Sequence, residues 1–197
     1  NTEAKCNSDA QSLPISKKAA VNLSTVSDKV VLSYLKTTYD KTEKEPDVTI
    51  EGLVKDTDYS VTYSNNVNAG TATVTIAGMN DYVGTLYQYF TIEPAKMTGV
   101  SVHGYKGTYD ESSHPITLDG VPEGAVITYA SEESGIYSEM KPDRRSVGTT
   151  TVYYKIKKAN YEELKGCVKI VIEAAPIAEK KVELSDVSYV YDGTAKS

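Results

Sequence analysis

"SNNVNAGTATVTI" (residues 64–76) decides how the rest of the chain is read. Thr71, Thr73 and Thr75 alternate with Ala72, Val74 and Ile76, so an extended chain here has one hydroxyl face and one apolar face. Asn65, Asn66, Asn68 and Gly70 come just before, residue types that tolerate tight or left-handed backbone. The segment therefore predicts a turn running into a half-buried strand. It is either one hairpin of an ordinary domain or one member of a periodic chain, and the residues around it decide which.

The chain repeats. "TTYDKTEKEP" (37–46), "GTYDESSHP" (107–115) and "YVYDGTAKS" (189–197) share Tyr39-Asp40, Tyr109-Asp110 and Tyr191-Asp192. Upstream of each pair, in one register, stand Val30, Val100 and Val182, then Leu32, Val102 and Leu184, then Leu35, Tyr105 and Val187. Downstream, "NAGTATVTIAGMNDYVGT" (68–85) aligns with "SVGTTTVYYKIKKANYEELKG" (146–166), Gly70 on Gly148 and Asn80 on Asn160. "YFTIEPAKM" (89–97) aligns with "KIVIEAAPI" (169–177). The second copy differs mainly by an insertion between Tyr129 and Gly148.

Every strong segment has the two-residue period of a strand. Tyr59, Val61 and Tyr63 share a face, as do Ala125, Ile127 and Tyr129, Phe90 and Ile92, and Val168, Ile170 and Ile172. Helical periodicity is nearly absent. The best candidate, "SEMKPDRRSV" (138–147), reads as a loop because of Pro142 and its Ser neighbours. The expected fold class is all-β: small antiparallel β-sandwiches in tandem, head to tail. The expected boundaries are a leader over 1–16, repeat 1 over 17–94, repeat 2 over 95–176, and a linker with the first strand of a truncated third repeat over 177–197. The linkers "IEPAKM" (92–97) and "IEAAPIAEKK" (172–181) each carry a proline and no glycine, which restricts bending.

Composition narrows the function classes. Of 197 residues, 40% are hydrophobic, and the aromatics are 16 Tyr, one Phe and no Trp. Tyrosine packs its ring on a sheet and keeps its hydroxyl wet, which suits thin β-layers. The net charge is −6 and only "KPDRR" (141–145) is locally basic, which argues against a nucleic-acid partner. No apolar run reaches the ~18 residues of a membrane span. The chain starts "NTEAKC", without a secretory signal pattern, as expected of a mature or excised piece of a longer protein. Cys6 and Cys167 form no C-x-x-C motif and are expected to be unpaired thiols.

"DYSVTYSNNVNAGTATVTIAGMNDYVGTLYQYFTI" (58–92) resembles a repeat of cell-surface and secreted proteins from Gram-positive, often gut-dwelling, bacteria. "YASEESGIYSEMKPDRRSVGTTTVYYKIKKANYEELKGCVKIVI" (129–172) is similar to its MBG-type Ig-like relative, with Gly135-Ile136-Tyr137-Ser138 a one-residue departure from the usual Gly-Tyr-Ser. The resemblance implies Ig-like modules serving as stalks, spacers or binding domains in adhesins and carbohydrate-active enzymes. It implies an extracellular setting, attached to the cell wall or secreted. It carries no catalytic residues, and fold alone does not give function.

Residue by residue, chemistry is sparse. His103 and His114 are too few for a metal cluster and read as solvated side chains. Glu132-Glu133 and Glu162-Glu163 are adjacent, which in extended chain sends them to opposite faces. Asp56 and Asp58 suit a turn better than a calcium site. No phosphate-binding glycine loop and no nucleophile elbow is present. The tyrosines are the candidates for binding. With Phe90 and Ile92 inward, Tyr87 and Tyr89 point outward together, and Tyr153 does the same if Val152, Tyr154 and Ile156 take the core. Such rings either stack on sugars or cover neighbouring units and strengthen cross-strand pairs. Cys167 aligns with Tyr87 and is expected on the same outward face.

These readings predict a non-enzymatic stalk, spacer or adhesive module without cofactor or metal. Its partners would be other domains of its parent chain, host or dietary glycans, or a host surface protein. The alternative is a carbohydrate-binding module that uses Tyr87, Tyr89 and Tyr153 on polysaccharide or mucin glycans.

Overall fold

The computed structural model describes residues 19–176 and Gly193. The expected leader, Cys6 and, Gly193 apart, the expected third repeat lie outside the described residues. The described chain is all-β apart from one 3₁₀ segment, Leu23–Lys29. It divides into two compact units, residues 19–97 with 158–162, and residues 98–157 with 163–176.

The first unit holds six main strands: β1 (Val30–Leu32), β2 (Lys36–Thr38), β3 (Val48–Ile50), β4 (Tyr59–Ser64), β5 (Gly70–Gly78) and β6 (Thr85–Glu93). One sheet has the order β2-β6-β5-β4 and a second pairs β1 with β3. The opening stretch becomes the turn after β4 and most of β5. Ala72, Val74 and Ile76 are fully buried on its inner face. Facing sheets supply one core: Val48 and Ile50 from β3 meet those residues and Phe90 and Ile92 of β6, with Leu23 of the 3₁₀ segment joining them. Tyr59 also lies inside, its hydroxyl donating to the Val48 carbonyl at 2.9 Å. Tyr63 donates to the Pro46 carbonyl at 2.6 Å. These two bonds tie β4 to the chain of the opposite sheet.

The second unit holds β7 (Ser101–His103), β8 (Tyr105–Thr108), β9 (Thr117–Asp119), β10 (Val126–Ala130), β11 (Gly148–Lys157) and β12 (Leu164–Glu173). Its four-stranded sheet has the order β8-β12-β11-β10, and β7 pairs with β9. Ile116, Tyr129, Val152 and Ile170 form its core cluster. The register follows that of the first unit. Thr38 pairs with Glu93 there and Thr108 with Glu173 here. The Tyr39 amide donates to the Glu93 carbonyl at 2.9 Å and the Tyr109 amide to that of Glu173 at 2.8 Å. Gly70 and Gly148 open their strands with φ of 140° and 132°, a region side chains avoid, which accounts for glycine at both.

Some features depart from the sequence expectations. The four-stranded sheets are mixed, because β2 runs parallel to β6 and β8 parallel to β12. A parallel pair needs a long crossover, which β3, β4 and β5 provide in the first unit. The 3₁₀ segment has no amphipathic period. It is set locally by Asn22, whose side-chain oxygen accepts the Ser24 amide at 2.9 Å. Leu35, aligned with apolar positions, is 62% exposed. What its position contributes to the sheet is its carbonyl, which accepts the Thr91 amide at 2.9 Å. Within the insertion, expected to be a loop, Asp143–Arg144 pairs antiparallel with His114–Pro115.

Candidate functional site

Alternation along β6 places the first pair of predicted residues. Phe90 and Ile92 are buried, while Tyr87 and Tyr89 are each 58% exposed. Tyr87 lies opposite Thr75 and Tyr89 opposite Thr73. Those threonines in turn face Thr62 and Ser64 on β4. The outer face of this sheet is thus a hydroxyl-rich surface carrying two aromatic rings, with Lys36 and Glu93 joined at 3.4 Å at its far edge. A flat apolar ring beside hydroxyl groups matches a pyranose, which has one apolar face and polar edges.

Tyr153 belongs to the second unit and has different surroundings. It pairs with Cys167 across the β11–β12 ladder. The Cys167 thiol is free and exposed on that outer face, where its alignment with Tyr87 puts it. With Glu133, Ser134, Tyr137, Lys155 and Lys165 they line a groove of about 680 Å³. The insertion builds one wall of it. Tyr137 donates to the Glu133 carbonyl at 3.1 Å, and the Lys155 ammonium lies 3.7 Å from the Tyr137 ring centre. Burial, followed by the nearby Glu133 and Glu163 charges, pushes the Tyr137 hydroxyl up from its ordinary value. The structure therefore keeps Tyr87 and Tyr89 together and puts Tyr153 in another setting. Tyr137 escaped the sequence reading because the insertion matches nothing in the first copy, and the two lysines because alternation tells which residues face outward but not which of them meet in one groove.

The remaining polar candidates have structural partners. His103 lies 3.2 Å from Asp119, both exposed. His114 departs from the solvated reading: its ring stacks on Tyr105 at 3.7 Å and meets Asp110 at 2.9 Å. Asp58 accepts the Val54 amide at 2.7 Å, which makes it a turn residue. Glu163 pairs with Lys157 at 3.0 Å, and the hydrogen bond from that lysine holds its carboxyl below the usual range. Among the described residues, no group of three or more His, Cys, Asp or Glu is disposed to hold a metal, and no helix is long and apolar enough to cross a membrane.

The Tyr-Asp motif is structural as well. Asp40 accepts the Thr42 amide, and Asp110 accepts the Ser112 amide, each at 2.9 Å. After the aspartates, Lys41 and Glu111 take left-handed φ of 74° and 67°, and Gly193, which follows Tyr191-Asp192 in the sequence, has φ 80°. A basic side chain four residues after the aspartate closes the turn, Lys44 at 2.5 Å and His114 at 2.9 Å. No family model, curated protein or solved structure matches this chain.

Proposed function

We propose that this chain is a non-catalytic repeat region, two Ig-like modules acting as a stalk, spacer or adhesive segment of a bacterial cell-surface or secreted protein. The observation that carries the proposal is the shared plan of the two units. Each has a four-stranded sheet whose first strand runs parallel to its last, ending on the same Glu93 and Glu173 pairing. In each, the same aspartate turn follows that first strand. Duplication of one self-contained unit is how length is built from small domains, each burying its own core. Single-molecule pulling on the whole chain tests it directly. Two separate unfolding events should appear, each releasing about 25 nm of chain at ~3.6 Å per residue. A single event, or extension without resistance, would sink the spacer reading.

A second reading, a carbohydrate-binding module, is favoured by the exposed Tyr87 and Tyr89 on a face of threonines and serines. A screen against neutral polysaccharides and mucin glycans, run beside a Tyr87→Ala/Tyr89→Ala variant, tests it. Saturable binding lost in the variant supports the reading. A folded wild-type chain that binds none of the glycans removes it.

A further inference from the structure

The outer face of the second unit differs from that of the first in charge. Where β5 and β6 show threonines and tyrosines, β11 and β12 show Tyr153, Lys155, Lys157, Lys165, Cys167 and Lys169. Lys157 is neutralised by Glu163 at 3.0 Å. Lys155 and Lys165 form no ion pair of their own among the described residues, although the Glu163 charge acts on both, and they are directly opposite each other in the ladder. Like charges at directly opposed positions work against sheet pairing. Here the arrangement is kept in a chain whose net charge is −6. Both lysines line the same groove as Tyr137 and Tyr153, whose volume of about 680 Å³ is that of a small-ligand site. The Lys155 ammonium covers the Tyr137 ring and Tyr154 packs against the core, which leaves Tyr153 to stack. The one carboxylate residue of the lining, Glu133, belongs to the insertion wall.

We propose that this groove binds an anionic sugar, a uronate or sulfated residue within a polysaccharide, with Lys155 and Lys165 taking the acid group and Tyr153 stacking on the ring. An anion between the lysines removes their mutual repulsion and gains two charge-assisted hydrogen bonds. The ring supplies the apolar contact that a bare phosphate or sulfate ion would not use. The site does not depend on the Tyr87/Tyr89 surface of the carbohydrate reading above, and of the three tyrosines singled out in the sequence it uses Tyr153 alone.

The test is calorimetric titration of the whole chain with polygalacturonate, chondroitin sulfate, dextran and oligothymidylate, at low and raised salt. The two acidic polysaccharides should bind, more weakly as salt rises, and dextran should not bind in this groove. Lys155→Gln/Lys165→Gln should weaken binding about tenfold or more, and Tyr153→Ala should weaken it too. Lys29→Gln, which removes a first-unit lysine paired with Glu51 and outside either binding surface, should leave it unchanged. The proposal is overturned if neither acidic polysaccharide binds the wild-type chain. It is equally overturned if the lysine and Tyr153 variants, shown by their melting curves to be folded, bind as the wild type does. Oligothymidylate binding as tightly as chondroitin sulfate, with Tyr153→Ala indifferent, would reduce the groove to a general polyanion surface and end the sugar assignment. Salt-independent binding by the wild type would contradict it without recourse to any variant.

Discussion

Asp40 shows how one residue type can recur for a reason other than chemistry on a ligand. Its carboxylate accepts the Thr42 amide and hydroxyl and meets the Lys44 ammonium, whose hydrogen bond is the main cause holding its carboxyl well below the ordinary carboxylate range. A depressed folded-state value means the ionised form is the one the fold favours. The contribution is therefore complete above the unfolded value, about 4, and is lost as pH falls through the lower folded value. Asp40→Asn keeps an oxygen for the Thr42 amide but has no charge to lose. Urea midpoints measured at pH 7 and pH 3 should drop less in the variant than in the wild type, and an equal drop would count against this account. Tyr59 makes a second prediction at this scale. Its buried hydroxyl satisfies the Val48 carbonyl, so Tyr59→Phe leaves that carbonyl unpaired and should cost about 1–2 kcal/mol in chemical denaturation. A change near zero would mean that water replaces the bond.

At the scale of the element, what could be read from sequence is what alternation encodes. Over residues 71–76 of β5 each inward residue is apolar and each outward one is threonine, so a slip of one residue would exchange the faces and the register is fixed. The inward positions Ala72, Val74 and Ile76 and the outward Tyr87 and Tyr89 follow from that alone. Other elements depend on single contacts with no period. The 3₁₀ segment needs only the Asn22 cap. The short strand Asp143–Arg144 is held by Arg144, which donates to the Ser146 carbonyl at 2.7 Å, the Thr150 hydroxyl at 2.8 Å and the Val147 carbonyl at 2.8 Å. Arg144 itself lies in the insertion, which the first copy lacks, so this strand and the groove wall stayed hidden. Close backbone approach is equally silent in sequence. A Cβ at Gly104 would stand 2.0 Å from the Lys169 carbonyl oxygen, a backbone atom that cannot swing aside. Gly104→Ala should destabilise the second unit by about 1–3 kcal/mol through displacement of β12. A melting temperature equal to wild type would show that the strand accommodates the methyl group.

For the whole molecule, two β units with separate cores account for a long chain with modest hydrophobic content. Nine buried residues form the core cluster of the first unit and four that of the second, so the second should be the less stable. The first unit also includes the turn at 158–162, where Asn160, with φ 70°, accepts the Ala69 amide and donates to Asn68, each at 2.9 Å. The recurring Tyr-Asp pairs and the shared glycine positions make the correspondence of the two units visible in sequence. The partition of that turn is not visible, because it follows from contacts distant along the chain. The central claim is that each unit is a self-sufficient module. It is tested most directly by producing residues 17–97 and 98–176 as separate chains and following hydrogen exchange and thermal melting of each. The account predicts cooperative melting of both, with slow exchange at Val74 and Ile76 in one and at Val152 and Ile156 in the other, and a lowered melting temperature for the first, which lacks Asn160. Either piece remaining unfolded on its own would contradict it.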